Sequence, residues 1–300
     1  MRMEVEIAGV RLKNPVTTAS GTFGSGREYE PYVDINRLGA VIVKGVANKE
    51  WLGNPAPRIA ETYGGMLNSV GLQNPGVDAF MLEDIPFLRR FDTKIVVNIA
   101  GRTVEEYCEV VEKLRDADVD MLELNISCPN VKEGGVAFGI DPKMAELATR
   151  EVKKVARQPL VVKLSPNVTD IVEIAKAVES GGADAVSLIN TLIGMRIDAR
   201  KRKPVLANKI GGLSGPAVKP VALRMVYQVA KAVDLPVIGL GGIMTGEDAI
   251  EFMMAGATAV SVGTANLLDP GATMRILDEM EAFLQENNIR DIRDIIGVVE

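Results

Sequence analysis

The 300-residue sequence predicts an α/β protein folded as one (β/α)8 barrel, or TIM barrel, over residues 1–300. An N-terminal β-hairpin and insertions after the second and sixth strands are expected as additions to the barrel. The first observation behind this prediction is a set of eight short apolar runs, as is typical of parallel strands buried on both faces. These runs lie at 16–20, 40–45, 94–100, 120–127, 159–165, 184–190, 236–242 and 258–264.

The second observation is that segments of helical period separate these runs. The clearest is TVEEYCEVVEKLRDA (103–117), in which Thr103 and Glu106 have the spacing of a capping box. Its apolar stripe includes Cys108, which is therefore expected to be a packing residue. Eight alternating βα units in one chain favour a closed barrel over an open doubly wound sheet.

A near repeat within the chain supports the same architecture. The segments GADAVS (182–187) and GATAVS (256–261) are almost identical and lie about two βα units apart. Each places a helix-ending glycine before a strand. Because no linker-like stretch interrupts the chain, a single domain is expected.

The opening segment MRMEVEIAGV (1–10) alternates apolar residues with glutamates, which is typical of a strand. It has no apolar core of the kind found in signal peptides. No other stretch approaches the roughly 18 apolar residues that a membrane span needs. A cytoplasmic location is therefore expected.

Composition excludes several kinds of chemistry. The chain contains no histidine, so a Ser-His-Asp triad and histidine metal ligation are excluded. Two cysteines cannot supply a disulfide framework or four cysteine ligands for an iron–sulfur cluster. The net charge of −6 argues against nucleic acid as a partner.

The residues at the predicted strand ends define a candidate ligand site, because the carboxyl ends of barrel strands meet at one face. They are mostly amides, lysines and glycines: Ser20, Lys44, Asn98, Asn125, Lys163, Asn190, Gly241, Gly242, Gly263 and Thr264. No carboxylate is among them, so no divalent metal is expected there. The set suits a large, planar, partly anionic ligand with many hydrogen-bonding groups.

Glycines follow the seventh and eighth strands, as Gly241–Gly242 and as Gly263–Thr264. Such turns are typical of a phosphate cradle, although glycines also end strands for packing reasons.

Lys44 and Lys163 each end an apolar run. They could meet an anion or an electron-rich ring, or they could reach water from the rim of the barrel. A Schiff base on Lys163 is a further alternative.

Cys128 follows the fourth predicted strand within the motif NISCPN (125–130). A thiol there could act as a nucleophile or a general base, since its free pKa of about 8.5 would be lowered by nearby lysines. A purely structural cysteine is the alternative.

The segments 46–75 and 191–216, both rich in Gly, Pro and Asn, are the two insertions. They are interpreted as a lid or substrate enclosure, with simple surface insertions as the alternative.

Seven motifs resemble those of the dihydroorotate dehydrogenase family. They are ASGTFG (19–24), VKGV (43–46), NSVGLQNPG (68–76), NISCPN (125–130), VKLSPN (162–167), NKIGGLSGPAVKP (208–220) and GLGGI (239–243). The cysteine in NISCPN resembles class 1, since the membrane-linked class 2 carries serine there. The segments 71–76 and 197–220 are most similar to the class 1B, NAD-linked catalytic subunit rather than to the fumarate-using class 1A.

The resemblance implies one FMN per chain and oxidation of dihydroorotate to orotate in de novo pyrimidine (UMP) biosynthesis. The implied cofactor-binding residues are Ser20, Lys44, Gly45, Asn98, Asn125, Lys163, Ile189, Gly215, Gly241, Gly242, Gly263 and Thr264. The implied substrate-binding residues are Lys44, Asn68, Ser69, Val70, Gly71, Leu72, Asn125, Asn130, Asn190 and Thr191.

The resemblance also implies the catalytic roles. Cys128 would take a proton from C5 of dihydroorotate while a hydride leaves C6 for the flavin. Lys44 would hold the substrate carboxylate, and Lys163 would stabilise negative charge developing on the flavin. A partner subunit carrying FAD and a 2Fe-2S cluster would pass electrons to NAD. It would join a homodimer of this chain into a heterotetramer.

Three alternatives stay open from the sequence. A dihydropyrimidine dehydrogenase-like enzyme would share the barrel, the flavin and the cysteine loop but reduce uracil or thymine. An aldolase or lyase would use Lys163 as a Schiff base and the glycine pairs for a sugar phosphate. A non-catalytic barrel would serve only as a binding scaffold.

Overall fold

A computed structural model describes residues 1–126 and 138–300. Eight parallel strands form a closed barrel in which β8 pairs with β1. We number them β1 Val16–Thr18, β2 Ala40–Ile42, β3 Lys94–Ile99, β4 Met121–Asn125, β5 Leu160–Lys163, β6 Ala185–Leu188, β7 Val237–Leu240 and β8 Ala259–Val262. The predicted barrel is confirmed, and every strand lies within its predicted apolar run.

The strands are buried on both faces, as their apolar sequences predict. Every residue of the eight strands except Lys94 is buried. Most of the side chains are Val, Ile, Leu and Ala, which pack against the surrounding helices and the barrel interior in one hydrophobic cluster. The polar side chains of the strands therefore stand out, because each must find a hydrogen-bond partner inside the barrel.

Helices follow the strands and surround the barrel. They span Val77–Ala79, Ile85–Leu88, Val104–Leu114, Pro142–Val155, Ile171–Ser180, Lys219–Ala230, Gly246–Met254, Ala265–Leu268 and Ala272–Glu286, with a π-helical turn at Phe80–Asp84 and 3-10 turns at Ile35–Arg37, Pro216–Val218 and Ile292–Ile295. In the described ranges 1–126 and 138–300, none of these helices is long and apolar enough to cross a membrane.

Side-chain caps fix where several helices begin. The Thr103 side chain accepts a hydrogen bond from the Glu106 backbone N–H, as its spacing predicts. The Glu106 carboxylate, however, accepts from the backbone N–H of Arg102 and not from that of Thr103. A complete capping box instead starts the helix Gly246–Met254, where Thr245 and Asp248 bond each other's backbone N–H.

The predicted N-terminal hairpin is confirmed. Strands Val5–Ile7 and Val10–Leu12 pair antiparallel across a turn at Ala8 and Gly9, both of which have positive φ. Ile7 is fully buried and joins the main hydrophobic core, so the hairpin packs against the barrel. The alternation seen in the sequence is thus that of a strand with one buried face.

The two insertions fold together into one four-stranded antiparallel sheet. Its order is Leu192–Met195, Ile210–Ser214, Gly65–Asn68 and Ile59–Thr62, so its central pair joins the second insertion to the first. Within that pair Gly212 lies opposite Asn68, and Leu213 lies opposite Leu67. A short hairpin of Ile197–Asp198 and Lys203–Pro204 extends the second insertion. Because both insertions leave the carboxyl ends of their strands, this sheet lies at the face predicted to hold the site.

Candidate active site

One cavity at the carboxyl ends of the strands brings together most of the residues that the sequence singled out. The cavity is open to solvent, and its volume counted out to the open mouth is about 1260 Å³. The predicted residues that line it are Ser20, Lys44, Gly45, Asn68, Val70, Gly71, Leu72, Asn98, Asn125, Lys163, Ile189, Asn190, Thr191, Gly215, Gly241, Gly242, Gly263 and Thr264.

Of the predicted site residues that the structure describes, Ser69 is the one that does not line the cavity. Cys128 and Asn130 lie outside the described residues. Ser69 is fully buried, and its backbone N–H donates to the carbonyl of Arg58 at 2.8 Å. That donor is therefore engaged within the first insertion and does not reach a ligand in the cavity.

Several lining residues had not been singled out from the sequence. Ile59 and Met66 come from the insertion sheet, so only the pairing of that sheet brings them to the cavity. Ser214 ends the adjacent strand of the sheet, and its hydroxyl accepts a hydrogen bond from Thr264 at 2.7 Å. This bond joins the insertion sheet to the turn after β8.

Two lysines place positive charge in the cavity. Lys163, at the end of β5, is only 4% exposed, and its Nζ donates to the hydroxyl of Ser20 at 3.2 Å. Ser20 follows β1, so this bond crosses the barrel mouth. Lys44 follows β2 and also lines the cavity. The buried ammonium group of Lys163, with the partly buried one of Lys44, favours an anionic or electron-rich ligand.

Amides form the floor of the cavity, and one buried carboxylate bonds to them from outside the lining. Asn98 on β3 donates from Nδ2 to Glu123 Oε2 at 2.5 Å, and Asn125 Nδ2 donates to Asn98 Oδ1 at 3.4 Å. The Tyr107 hydroxyl donates to the backbone carbonyl of Asn125 at 2.7 Å. Glu123 was not predicted as part of the site. Its signal in the sequence is a charge in the middle of the apolar run at 120–127, whose other charged residue, Asp120, stands at the start of the run.

Glycine backbones form the opposite side of the cavity. Gly215, Gly241 and Gly242 have φ of +104°, +126° and +81°, conformations that side chains rarely permit. A Cβ on Gly242 would lie 2.8 Å from the backbone nitrogen of Lys219 and 2.9 Å from the carbonyl oxygen of Gly215. The helix Lys219–Ala230 begins at this contact. Bare backbone beside a helix N-terminus is a favourable setting for a phosphate group.

An ion-pair cluster connects the two helices that begin next to these glycines. Lys219 Nζ contacts Asp248 Oδ1 and lies 2.9 Å from Glu251 Oε2. Asp248 also accepts from the backbone N–H groups of Met244 and Thr245 at 2.8 and 2.9 Å. It therefore ties the helix after β7 to the helix after β6.

Replacing Asp248 with asparagine should lower the free energy of unfolding at pH 7 by about 1–2 kcal/mol, because it weakens the cap and the ion pair together. Burial alone would raise the pKa of Asp248, but Lys219 and the two backbone N–H groups outweigh it and hold the pKa below its usual value of 3.8. The stabilisation is therefore complete above that value and is lost as the pH falls through the lower pKa of the folded state.

Urea unfolding of the wild type and Asp248→Asn between pH 7 and pH 2.5 measures this effect. The difference in unfolding free energy between the two proteins should stay constant down to about pH 4 and shrink below it. Glu247→Gln is the matched control, since Glu247 is exposed in the same helical turn. An equal loss in both variants would contradict the role given to Asp248.

Comparison with known proteins identifies the family. The family model for dihydroorotate dehydrogenase matches residues 2–284. The chain belongs to the dihydroorotate dehydrogenase family. It is 70% identical to the dihydroorotate dehydrogenase B (NAD(+)) catalytic subunit of Alkaliphilus metalliredigens, over 99% of this chain and 98% of that one. The subunits of the same name from Alkaliphilus oremlandii and Geobacter sulfurreducens are 72% and 60% identical, over 98% and 99% of this chain and 98% of each relative.

A solved structure agrees in fold with this dihydroorotate dehydrogenase family member. DHODH from Eimeria tenella, in complex with ferulenol, superposes with a TM-score of 0.84 at 24% identity. The match covers 99% of this chain and 88% of the other. The resemblance to class 1B dihydroorotate dehydrogenases, found in the sequence motifs, is therefore confirmed by the relatives.

Proposed function

We propose that this chain oxidises dihydroorotate to orotate in pyrimidine biosynthesis, with FMN in the cavity and NAD as the final electron acceptor. The observation that carries the proposal is the cavity itself. It places two lysines, a floor of amides and a wall of bare glycine backbone around one space, in a chain of this family. Those groups match a ligand that combines a phosphate with a planar, hydrogen-bonding ring.

The described residues fit FMN. Gly215, Gly241 and Gly242 form a cradle that a Cβ would fill, and the turn Gly263–Thr264 adjoins it. These residues would hold the phosphate, while Ser20, Lys44, Gly45, Asn98, Asn125, Lys163 and Ile189 would contact the rest of the cofactor. When bound, the flavin supplies a hydride acceptor. The buried ammonium of Lys163 would stabilise negative charge that develops on the ring.

The remaining polar groups would bind the substrate. Lys44 would hold the carboxylate as a point charge. The amides and hydroxyl at Asn68, Asn125, Asn190 and Thr191 would fix the ring, together with the backbone of Val70, Gly71 and Leu72. Ser69 would support this backbone from its buried position in the first insertion. Cys128 and Asn130 come from the sequence alone, Cys128 as the base that removes the C5 proton and Asn130 as a substrate contact.

A partner subunit would complete electron transfer. The relatives are named catalytic subunits of an NAD(+)-linked form, a name that implies a second subunit. This chain has two cysteines, too few to ligate an iron–sulfur cluster alone. FAD and a 2Fe-2S cluster are therefore proposed on the partner, and two copies of each subunit would form a heterotetramer.

The visible spectrum of the purified protein tests the proposal. A flavin band that bleaches when dihydroorotate is added without oxygen is the expected result. Bleaching only with dihydrouracil would overturn the substrate and favour a dihydropyrimidine dehydrogenase-like activity. A protein that stays colourless after reconstitution with FMN, and that borohydride traps with a sugar phosphate, would favour the aldolase with Lys163.

A further inference from the structure

Glu123 is a buried carboxylate bonded to Asn98, one of the amides that form the cavity floor. It lies on β4, two residues before Asn125, and is 1% exposed. Oε2 accepts from Asn98 Nδ2 at 2.5 Å, and Oε1 accepts from the Ser187 hydroxyl at 2.7 Å. Ser187 lies on β6, which is not a neighbour of β4 in the barrel. The bond between them therefore crosses the barrel interior, and both carboxylate oxygens are engaged.

This arrangement determines which way the Asn98 carboxamide points. A carboxylate can only accept hydrogen bonds, so Asn98 must direct its NH2 group toward Glu123. Its Oδ1 then points the other way. That oxygen accepts from Asn125 Nδ2, and it lies 2.7 Å from the place where a Cβ of Gly45 would be. Asn125 and Gly45 both line the cavity, so Oδ1 lies on the ligand side of the floor.

We propose that Glu123 is a positioning residue, which fixes the Asn98 carboxamide so that the site presents a carbonyl oxygen to a ring N–H of the ligand. The inference rests on the proposed function, because it concerns the same cavity. A carbonyl oxygen has two lone pairs, and the bond from Asn125 occupies one of them. In the reversed amide an NH2 group would face the ring N–H, and two donors cannot bond each other.

A ring N–H of this kind has two sources in the proposed reaction. The flavin ring carries an imide N–H, and so does the pyrimidine ring of orotate. Methylation of the nitrogen removes the donor while leaving most of the ring unchanged. Matched pairs of parent and methylated ligands therefore test whether Asn98 presents its carbonyl oxygen to the ligand. They also show whether the N–H that it accepts from belongs to the flavin or to the pyrimidine.

The experiment measures dissociation constants with the full chain. The flavin arm compares FMN with N3-methyl-FMN by quenching of flavin fluorescence. The pyrimidine arm compares orotate with its two ring N-methyl derivatives, by the change in the spectrum of the bound flavin. In the wild type the methylated ligand should bind at least about tenfold more weakly in one arm, the loss expected for one hydrogen bond.

Two variants assign that preference to Glu123. Glu123→Leu removes the acceptor for Asn98, so the preference for the parent ligand should fall to within about threefold. Glu123→Gln should keep it, because the amide oxygen can accept from Asn98 while the Ser187 hydroxyl turns to accept from the new NH2 group. A merely structural role would lower the thermal stability of both variants and leave the preference unchanged.

Two results would overturn the proposal. One is a wild type that binds every methylated ligand as tightly as its parent, and this result does not depend on how any variant folds. The other is a folded Glu123→Leu protein that keeps the full preference. If Glu123→Leu does not fold, Glu123→Met is measured in its place, since it keeps the length of the side chain. Failure of the proposed function is distinguishable, because the wild type would then bind no flavin, or would bind flavin but not orotate, whichever residue stands at position 123.

Discussion

Replacing Cys128 with alanine is expected to slow the reduction of bound flavin by dihydroorotate by ~10² or more. Without the thiol no side chain is proposed to remove the C5 proton, and general bases contribute about this factor. Asn125, the first residue of the motif NISCPN, lines the cavity together with Lys44 and Lys163. Positive charge near a cysteine favours its thiolate form. Anaerobic stopped-flow absorbance of the flavin measures the rate directly, without the electron acceptor.

Cys108→Ala is the matched control, because it removes the other cysteine of the chain. Cys108 lies on the helix Val104–Leu114 and packs against the main core. Burial, followed by the charges of Glu112, Glu151 and Glu105, raises the pKa of its thiol. It should therefore be unreactive, and Cys108→Ala should reduce flavin at the wild-type rate. A slow rate in Cys108→Ala, or a normal rate in Cys128→Ala, would contradict the assignment of the base.

Replacing Gly242 with alanine is expected to weaken FMN binding by at least ~10² and to lower the free energy of unfolding by about 2–4 kcal/mol. Part of this loss is the strain of a side chain at φ +81°. The larger part is collision, since the new Cβ would lie 2.8 Å from the Lys219 nitrogen and 2.9 Å from the Gly215 oxygen. Those are backbone atoms, which cannot move without displacing the cradle.

Gly9→Ala separates strain from collision. Gly9 has φ +82°, almost the same as Gly242, but nothing lies within 4 Å of the place where its Cβ would be. It should lose about 1 kcal/mol of unfolding free energy and bind FMN normally. Fluorescence titration with FMN and urea unfolding measure both quantities. If the two substitutions changed FMN binding and unfolding free energy equally, backbone strain alone would explain the result. That outcome would contradict the proposed phosphate cradle.

Local patterns in the sequence were enough to predict the barrel and the strand-end residues that line its cavity. Eight apolar runs gave the eight strands, because a strand buried on both faces must be apolar at almost every position. Once the barrel closes, the carboxyl ends of its strands meet at one face. Residues that are distant in sequence, such as Lys44, Lys163 and Gly242, could therefore be assigned to one cavity from their positions at strand ends.

The insertions could not be predicted in the same way. Their sheet depends on pairing between 65–68 and 210–214, segments that are far apart in the chain and rich in glycine. Nothing in either segment alone specifies the other as its partner or sets the register. The family resemblance placed Ser69 in the substrate site with the rest of the motif NSVGL, whereas the fold of the first insertion buries Ser69 and bonds its backbone N–H to Arg58.

The sequence by itself determined the barrel, the ring of amides, lysines and glycines at its mouth, and the family resemblance. All of these depend on residue types at positions along single strands and turns. Only the tertiary structure decided that Glu123 bonds Asn98 and Ser187, and that the two insertions form one sheet. The physical reason is that a hydrogen bond across the barrel depends on the stagger and closure of all its strands, which no local pattern specifies.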